Sequence, residues 1–318
     1  MTSLSLGVHV GQQNAAMAEL VGLWTRLDGA VDWISVWDHL YEAPPAGGTT
    51  PHFEAVATLG ALASVTERAR IGCLMFCVPY RNPALLAKAC VAIDHIAGGR
   101  FEQGFGAGWH EPEFRAHGYD FDDVNVRFDM LGEGLEIISS MLSGGDGGTT
   151  TVHGEHYRVD QVTCVPGPLD GSMPLWTGGR GRTRTPENAA RYCSGWNVPY
   201  VDPAEFRRLN DRLDAACEAI DRDPATLERS VNLAFHLGAT AADAQAELDR
   251  IEQQWGPEVA PRVTGGALTG TPDRAVERIA EYRDAGADLV NVALRLPVQT
   301  DALDAYLDEV VPAARRIP

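Results

Sequence analysis

The chain alternates between short apolar, β-branched runs and longer stretches whose apolar positions recur every three or four residues. That alternation predicts strand then helix, repeated along the whole length. Strand-like runs fall at 4–10, 33–37, 70–78, 100–105, 174–177, 195–198, 230–237 and 288–294. Helical spacing falls at 14–29, 53–67, 83–97, 126–142, 185–193, 203–220, 241–254, 272–285 and 300–315. Pro83 stands in a first helical turn, where its missing N–H costs nothing. Phe128, Leu131, Leu135, Ile138 and Leu142 are spaced to bury one face of their helix.

Two stretches break the rhythm. Residues 143–171 begin with a glycine-rich turn and continue into a hairpin-like excursion at 151–164. Residues 239–270 insert a helix and then a loop, 256–270, ahead of the helix that Pro272 opens. A Pro/Gly-rich loop, 42–51, follows the second strand. Eight strand–helix units with no evident linker predict an α/β fold, a single (β/α)8 TIM barrel over 1–318 with insertions after strands four and seven. No Gly-x-Gly-x-x-Gly opens a helix, which excludes a nicotinamide-binding Rossmann domain.

Composition narrows the picture. With 45% apolar and 22% charged residues, the chain has the make-up of a soluble protein with a large core. A net charge of −18 argues against broad binding to nucleic acid or to an anionic membrane. An anionic cofactor is still compatible, wherever backbone N–H groups and arginines gather. Cys73, Cys77, Cys90, Cys164, Cys193 and Cys217 form no Cys-x-x-Cys pair and have no zinc-like spacing, so no metal site is expected. They read as buried free thiols in a reducing cytoplasm. The N-terminus shows no signal peptide, and no run approaches the length of a membrane span.

Ligands of an α/β barrel collect where the strands end. At the end of the fourth strand, Gly104, Gly106 and Gly108 leave one backbone face bare before Trp109, His110 and Glu111. Either a flat or anionic ligand approaches that main chain, or a helix packs closely on it. His39 closes the second strand, where it either handles a proton near neutral pH or satisfies a loop carbonyl. Asp38 beside it either fixes the ring or caps the loop. After the fifth strand, Thr177, Gly178, Gly179, Arg180, Gly181, Arg182 and Arg184 run into a helix start, a cradle suited to a phosphate. Arg295 lies beyond the eighth strand and meets either an acidic substrate or a cofactor tail, or else a partner in a surface ion pair. His236 ends strand seven, facing the mouth or packing there, while His153, Glu155 and His156 read as surface.

These residues carry a resemblance. Trp-Asp-His at 37–39, Arg-Asn-Pro-Ala-Leu-Leu-Ala-Lys at 81–88, and Gly-Gly-Arg-Phe with Gly-Phe-Gly-Ala-Gly-Trp within 98–109 are one part of it. Pro-Leu-Trp-Thr-Gly-Gly with Ala-Ala-Arg-Tyr-Cys-Ser-Gly-Trp-Asn within 174–197, and Thr-Gly-Thr-Pro-Asp at 269–273, are the other. The chain resembles the bacterial luciferase-like monooxygenase superfamily, and most of all its branch of oxidoreductases that use the deazaflavin coenzyme F-420. The resemblance implies a barrel whose mouth holds a flavin or deazaflavin, with a non-proline cis peptide, matched by Leu74–Met75, against the ring. It places Asp38 and His39 at the cofactor, with His39 near the reacting end, and Gly106, Ala107, Gly108 and Trp109 along the ring or its chain. Thr177, Gly178, Gly179, Arg180 and Arg184 would hold the phosphate.

The implied reaction is hydride transfer between the deazaflavin and a small organic substrate, with His39 assisting proton movement. Phe76, Trp109 and Arg295 are the expected substrate residues. One departure stands out. Sugar-phosphate dehydrogenases of the superfamily carry a glutamate directly after the glycine run, and this chain has Trp109, which leaves Glu111 as the nearby candidate acid. Two alternatives stay open: an FMN-dependent monooxygenase on the same barrel, and a non-redox barrel such as a lyase holding a metal on His39, His110 and Glu111 or a ligand-binding protein. The family also implies a homodimer.

Overall fold

Eight of the strands read from the sequence close on one another. The computed structural model describes residues 4–42, 47–143 and 148–317. Parts of the expected loop after the second strand, 43–46, and of the glycine-rich turn, 144–147, lie outside those residues. The barrel strands are β1 (Ser5–Val10), β2 (Trp33–Val36), β3 (Arg70–Cys77), β4 (Phe101–Gly106), β7 (Leu175–Gly178), β8 (Gly195–Pro199), β9 (Glu228–Leu237) and β11 (Leu289–Leu294). They pair in parallel in that order, and β11 returns to β1 to close the ring. Between β4 and β7 lies an antiparallel hairpin of β5 (Thr149–His153) and β6 (Arg158–Thr163). β10 (Ala267–Gly270) adds to the outside of β9, Ala267 opposite Ala234.

Helices run along the outside: α1 (Met17–Leu27), α2 (Ala55–Val65), α3 (Pro83–Ala97), α4 (Glu111–Ala116), α5 (Val124–Ser143), α6 (Arg184–Tyr192) and α7 (Pro203–Glu218). After β9 come α8 (Ala241–Trp255), α9 (Ala260–Gly265) and α10 (Pro272–Asp284). The chain then ends in α11 (Thr300–Ala305), a π turn at Tyr306–Val310 and α12 (Val311–Ala314). Their starts follow the side chains that can accept orphan amides. Asn82 accepts from Ala84 and Leu85 ahead of Pro83, Asp202 from Glu205, and Thr240 shares a reciprocal capping box with Asp243. Gly98 stops α3 in the left-handed region at φ 63.

The structure adds elements that the hydrophobic pattern misses. The stretch 256–270, expected as loop, contains α9 and β10. β10 is only four residues long and is signalled by sheet pairing rather than by periodicity. The six-residue α4 is equally invisible to a period of 3.6, which needs about two turns to show.

The lower half of the barrel interior is a solid plug. Trp33, Leu74, Trp176 and Leu289 pack together there, the two indoles edge to face at 5.0 Å and 76°. An aromatic pair of that kind adds about 1 kcal/mol to its burial. Beside them Arg70 bridges Glu102 at 3.0 Å and Glu228 at 2.9 Å, and the Trp176 indole donates to Glu102 at 2.7 Å. The upper half is left to the strand ends and their loops.

Candidate active site

The floor of the barrel mouth is Met75. The Leu74–Met75 peptide is cis, as the resemblance implies, and the β3–β4 register shifts between Cys73 and Phe76. Leu74 therefore turns in over the Trp33 plug with Met75 packed upon it. The Met75 thioether lies over Gly104, where a Cβ would come within 2.2 Å of its sulfur. The same shift turns Phe76 outward. It is fully buried, stacked on Phe105 at 5.9 Å, so the structure removes it from the substrate set.

His39 stands above this floor, just past β2. Its Nδ1 lies 2.9 Å from Oε2 of Glu113, a carboxylate only 1% exposed on the inward side of α4. Glu113 also accepts from the Leu40 amide, from the Tyr41 amide at 2.8 Å and from the Tyr80 hydroxyl at 3.0 Å. Burial pushes its carboxyl up, but the His39 hydrogen bond and charge with the two amides outweigh that and bring it down to about 2. With Nδ1 held, the imidazole keeps Nε2 for a ligand. The Trp109 ring meets His39 edge-on at 5.5 Å and is 61% exposed, a wall rather than a packing residue.

Glu111 takes no part in this contact. It lies on the outer face of α4, paired with Arg115 four residues on at 2.7 Å. The one sequence signal is the i,i+4 spacing of Glu111 and Arg115, which suits an outward ion pair if the stretch is helical; nothing in so short a stretch marks Glu113 as the inward carboxylate. The metal set His39, His110 and Glu111 is accordingly not assembled, and among the described residues no three such side chains gather for an ion.

Neighbouring imidazoles stay neutral at pH 7. Burial, then the positions of His39 and Arg295, bring His9 down to about 3, and it shares a 2.8 Å bond with the Ser35 hydroxyl. Burial and His39 bring His52 down to about 4, and it accepts from the Trp37 indole at 2.8 Å. Asp38 does not face the mouth. It is buried behind it, held by Arg81 at 2.5 and 2.8 Å and by the Cys77 amide at 2.9 Å, and so it anchors the ends of β2 and β3 together.

The end of β7 makes the cradle. Gly178 and Gly179 pass the mouth, and Gly179 has φ 120, a conformation that side chains rarely adopt. At Gly181 a Cβ would fall 2.3 Å from the Thr185 hydroxyl, and that hydroxyl is buried without a hydrogen-bond partner. A bare backbone, an orphaned hydroxyl and the N-terminus of α6 suit a phosphate group. The arginines contribute differently from expectation. Arg180 donates to the carbonyls of Pro199 and Tyr200, bracing β8, and Arg184 pairs with Asp129 and donates to the Asn125 carbonyl. Thr177 points away from the mouth, its hydroxyl on the Phe105 carbonyl at 2.9 Å. Gly106, Ala107 and Gly108 are half-buried along the mouth, and Arg295 is exposed at its rim.

The geometry meets its relatives at this point. The luciferase-like monooxygenase family model matches residues 32–289, more than half of the chain. The chain belongs to this family. An F-420-dependent glucose-6-phosphate dehydrogenase of Microbacterium testaceum is 27% identical over 312 residues, covering 90% of this chain and 89% of the relative. An FMNH2-dependent dimethylsulfone monooxygenase of Pseudomonas putida is 28% identical over 274 residues, covering 76% and 74%. Among solved structures, an F-420-dependent secondary alcohol dehydrogenase in complex with an F-420–acetone adduct superposes with a TM-score of 0.84 at 17% identity, covering 99% of each chain. The luciferase-like chain is thus an oxidoreductase that acts on a small molecule. Among the described residues no helix is long and apolar enough to cross a membrane.

Glu113 gives this luciferase-like chain an acid-sensitive loop. A carboxyl near 2 when folded and near 4.5 when unfolded contributes stability that is complete above the unfolded value and is lost as pH falls towards the folded one. The shift corresponds to about 3 kcal/mol, of which about 2 kcal/mol is lost by about pH 3. Urea midpoints at about pH 6 and about pH 3 are expected to differ more for the wild type than for Glu113→Gln. Equal differences would mean that the carboxylate is not coupled to folding.

Proposed function

We propose that the chain is a coenzyme F-420-dependent oxidoreductase, transferring hydride between the deazaflavin and a small organic substrate in the barrel mouth. The observation that carries this reading is His39, held on buried Glu113 and facing the exposed Trp109 ring at the end of β4. The coenzyme, when bound, supplies the redox chemistry. The chain supplies the rest. The main chain of Gly178 and Gly179 and the Thr185 hydroxyl would bind its phosphate, Met75 would support its ring, and Trp109 would cover an apolar substrate. His39 would exchange a proton with the substrate oxygen through Nε2, and Glu113 would stabilise the imidazolium while the proton resides there. Arg295 would meet a polar group of the substrate at the rim.

The name of the M. testaceum relative supports the deazaflavin, and that of the P. putida relative supports a second reading, an FMN-dependent monooxygenase. Fluorescence titration of the purified protein with each coenzyme separates them. F-420 is expected to bind at least about tenfold more tightly than FMN. The opposite preference would move the assignment to oxygen activation, to be followed as oxygen consumption, and binding of neither would overturn both.

We further infer a homodimer, as the family implies. Leu85 and Ile96 on α3 are 66% and 53% exposed. Val165 and Leu169 add to the same patch, tied to α3 by the bonds of Lys88 to the Val165 carbonyl and of the Leu169 amide to Asp94. Exposed apolar side chains gathered on one helix and the segment bonded to it suit a second copy of the chain. Sedimentation is expected to show a dimer, and Leu85→Asp a monomer; an unchanged dimer would place the interface elsewhere.

A further inference from the structure

Round the rim from His39, past β1 and β11, a second imidazole is held in the same way. His236 lies near the end of β9, on the inward side of the pleat with Asn232 and Ala234. Its Nδ1 is 3.2 Å from Oε2 of Glu247 on α8, a side chain 6% exposed that also accepts from Arg250 and, at 3.0 Å, from Gln299. The bond to Nδ1 again leaves Nε2 for a ligand. Ala293 pairs with Ala234 and with His9, and Arg295 follows just past the end of β11, where its charge acts on both His236 and His9.

We propose that His236, held by Glu247, recognises a carboxylate on the substrate together with Arg295. This rests on the reading of the barrel mouth as the substrate site. The carboxylates placed around that mouth are already committed: Asp38 to Arg81, Glu113 to His39, Glu42 to the amides of 48–50, and Glu247 to His236 and Arg250. The groups this part of the rim adds are nitrogen donors: the His236 imidazole and the nearby Arg295 guanidinium, which carries five N–H groups and can serve more than one partner. A guanidinium offers the planar fork that fits a carboxylate, and an imidazole beside it completes an asymmetric clamp.

The clamp has a distinctive proton balance. The groups around His236 are Glu247 and Arg250 from α8, Arg295 just past β11 and Gln299 ahead of α11. Burial lowers the imidazole below its ordinary value against the opposing pull of Glu247, and the ring is neutral above pH 7. A ligand carboxylate at Nε2 favours the imidazolium, so binding draws a proton from solvent onto Nε2.

The test uses 2-naphthoate, whose flat ring suits Trp109, with 2-naphthylmethanol as the uncharged comparator. Calorimetry of the full chain in phosphate and in Tris, at about pH 7.5, reads affinity and proton uptake together. The acid is expected to bind at least about tenfold more tightly than the alcohol, with uptake approaching one proton. His236→Gln is expected to remove that preference and the uptake, with binding of the alcohol and of F-420 unchanged. Should that variant not fold, Glu247→Gln, which keeps an acceptor for His236, is expected to abolish the uptake. Equal affinity for acid and alcohol, or uptake that survives in both variants, would overturn the proposal. Loss of F-420 binding with naphthoate recognition intact would count against the redox reading alone.

Discussion

Glu113→Gln is expected to lower turnover by about tenfold to hundredfold while coenzyme affinity stays within about twofold. The amide keeps the size of the carboxylate and one acceptor for the Leu40 and Tyr41 amides, so the loop retains part of its support. What disappears is the negative charge behind the His39 imidazole. A proton passing through His39 then lacks its stabilising partner, and the loss appears in kcat rather than in binding. Glu111→Gln is the paired control and is expected to leave turnover unchanged, because Glu111 faces solvent beside Arg115. Steady-state rates with saturating coenzyme and a substrate found by screening supply the measurement. Undiminished turnover in Glu113→Gln would detach the carboxylate from the chemistry, and a loss confined to Glu111→Gln would return the acid role to the outer face of α4.

The second large effect is expected at the cradle. Gly179→Val is expected to weaken F-420 binding by at least about a hundredfold, close to loss of detectable quenching. Two causes act together. A branched residue does not tolerate φ 120, and its side chain would point into the space that the phosphate needs beside Thr185. Thr185→Val is the gentler companion. It removes the orphaned hydroxyl at constant volume and is expected to cost about tenfold in affinity without loss of fold. Coenzyme titration with circular dichroism as the folding check decides the matter. Unchanged affinity in a folded Gly179→Val protein would move the phosphate elsewhere on the mouth.

The sequence made the barrel readable because its eight strands are short, largely buried runs rich in apolar residues, each followed by a stretch of helical spacing. The positions His39, Gly106–Trp109 and Gly178–Gly179 were readable too, since they are the ends of those strands. Their partners were not. Glu113 reaches His39 only because a single helical turn after Pro112 swings it inward, and no periodicity announces one turn. Phe76 and Thr177 sit at strand ends, where a site is expected, and the shifted register of β3 in one case and the pleat beside Trp176 in the other turn them to the helices instead. Arg184 looked like a phosphate ligand from its place near the glycines, yet Asp129, far off in sequence, claims it. Long-range pairing of polar groups is what a single sequence hides best.

The plug beneath Met75 has a kinetic meaning. Trp33, Trp176, Leu289 and the Arg70 ion pairs fill the lower end, so ligands of the mouth come and go from above. A large coenzyme and a small reactant must use that route in turn. With the coenzyme lying on Met75 beneath its reactant, as proposed above, the deeper guest would arrive first and leave last, and the kinetics are expected to be ordered with the coenzyme leading. A reactant at high concentration then traps the coenzyme behind it, lengthening its stay and slowing exchange for fresh coenzyme.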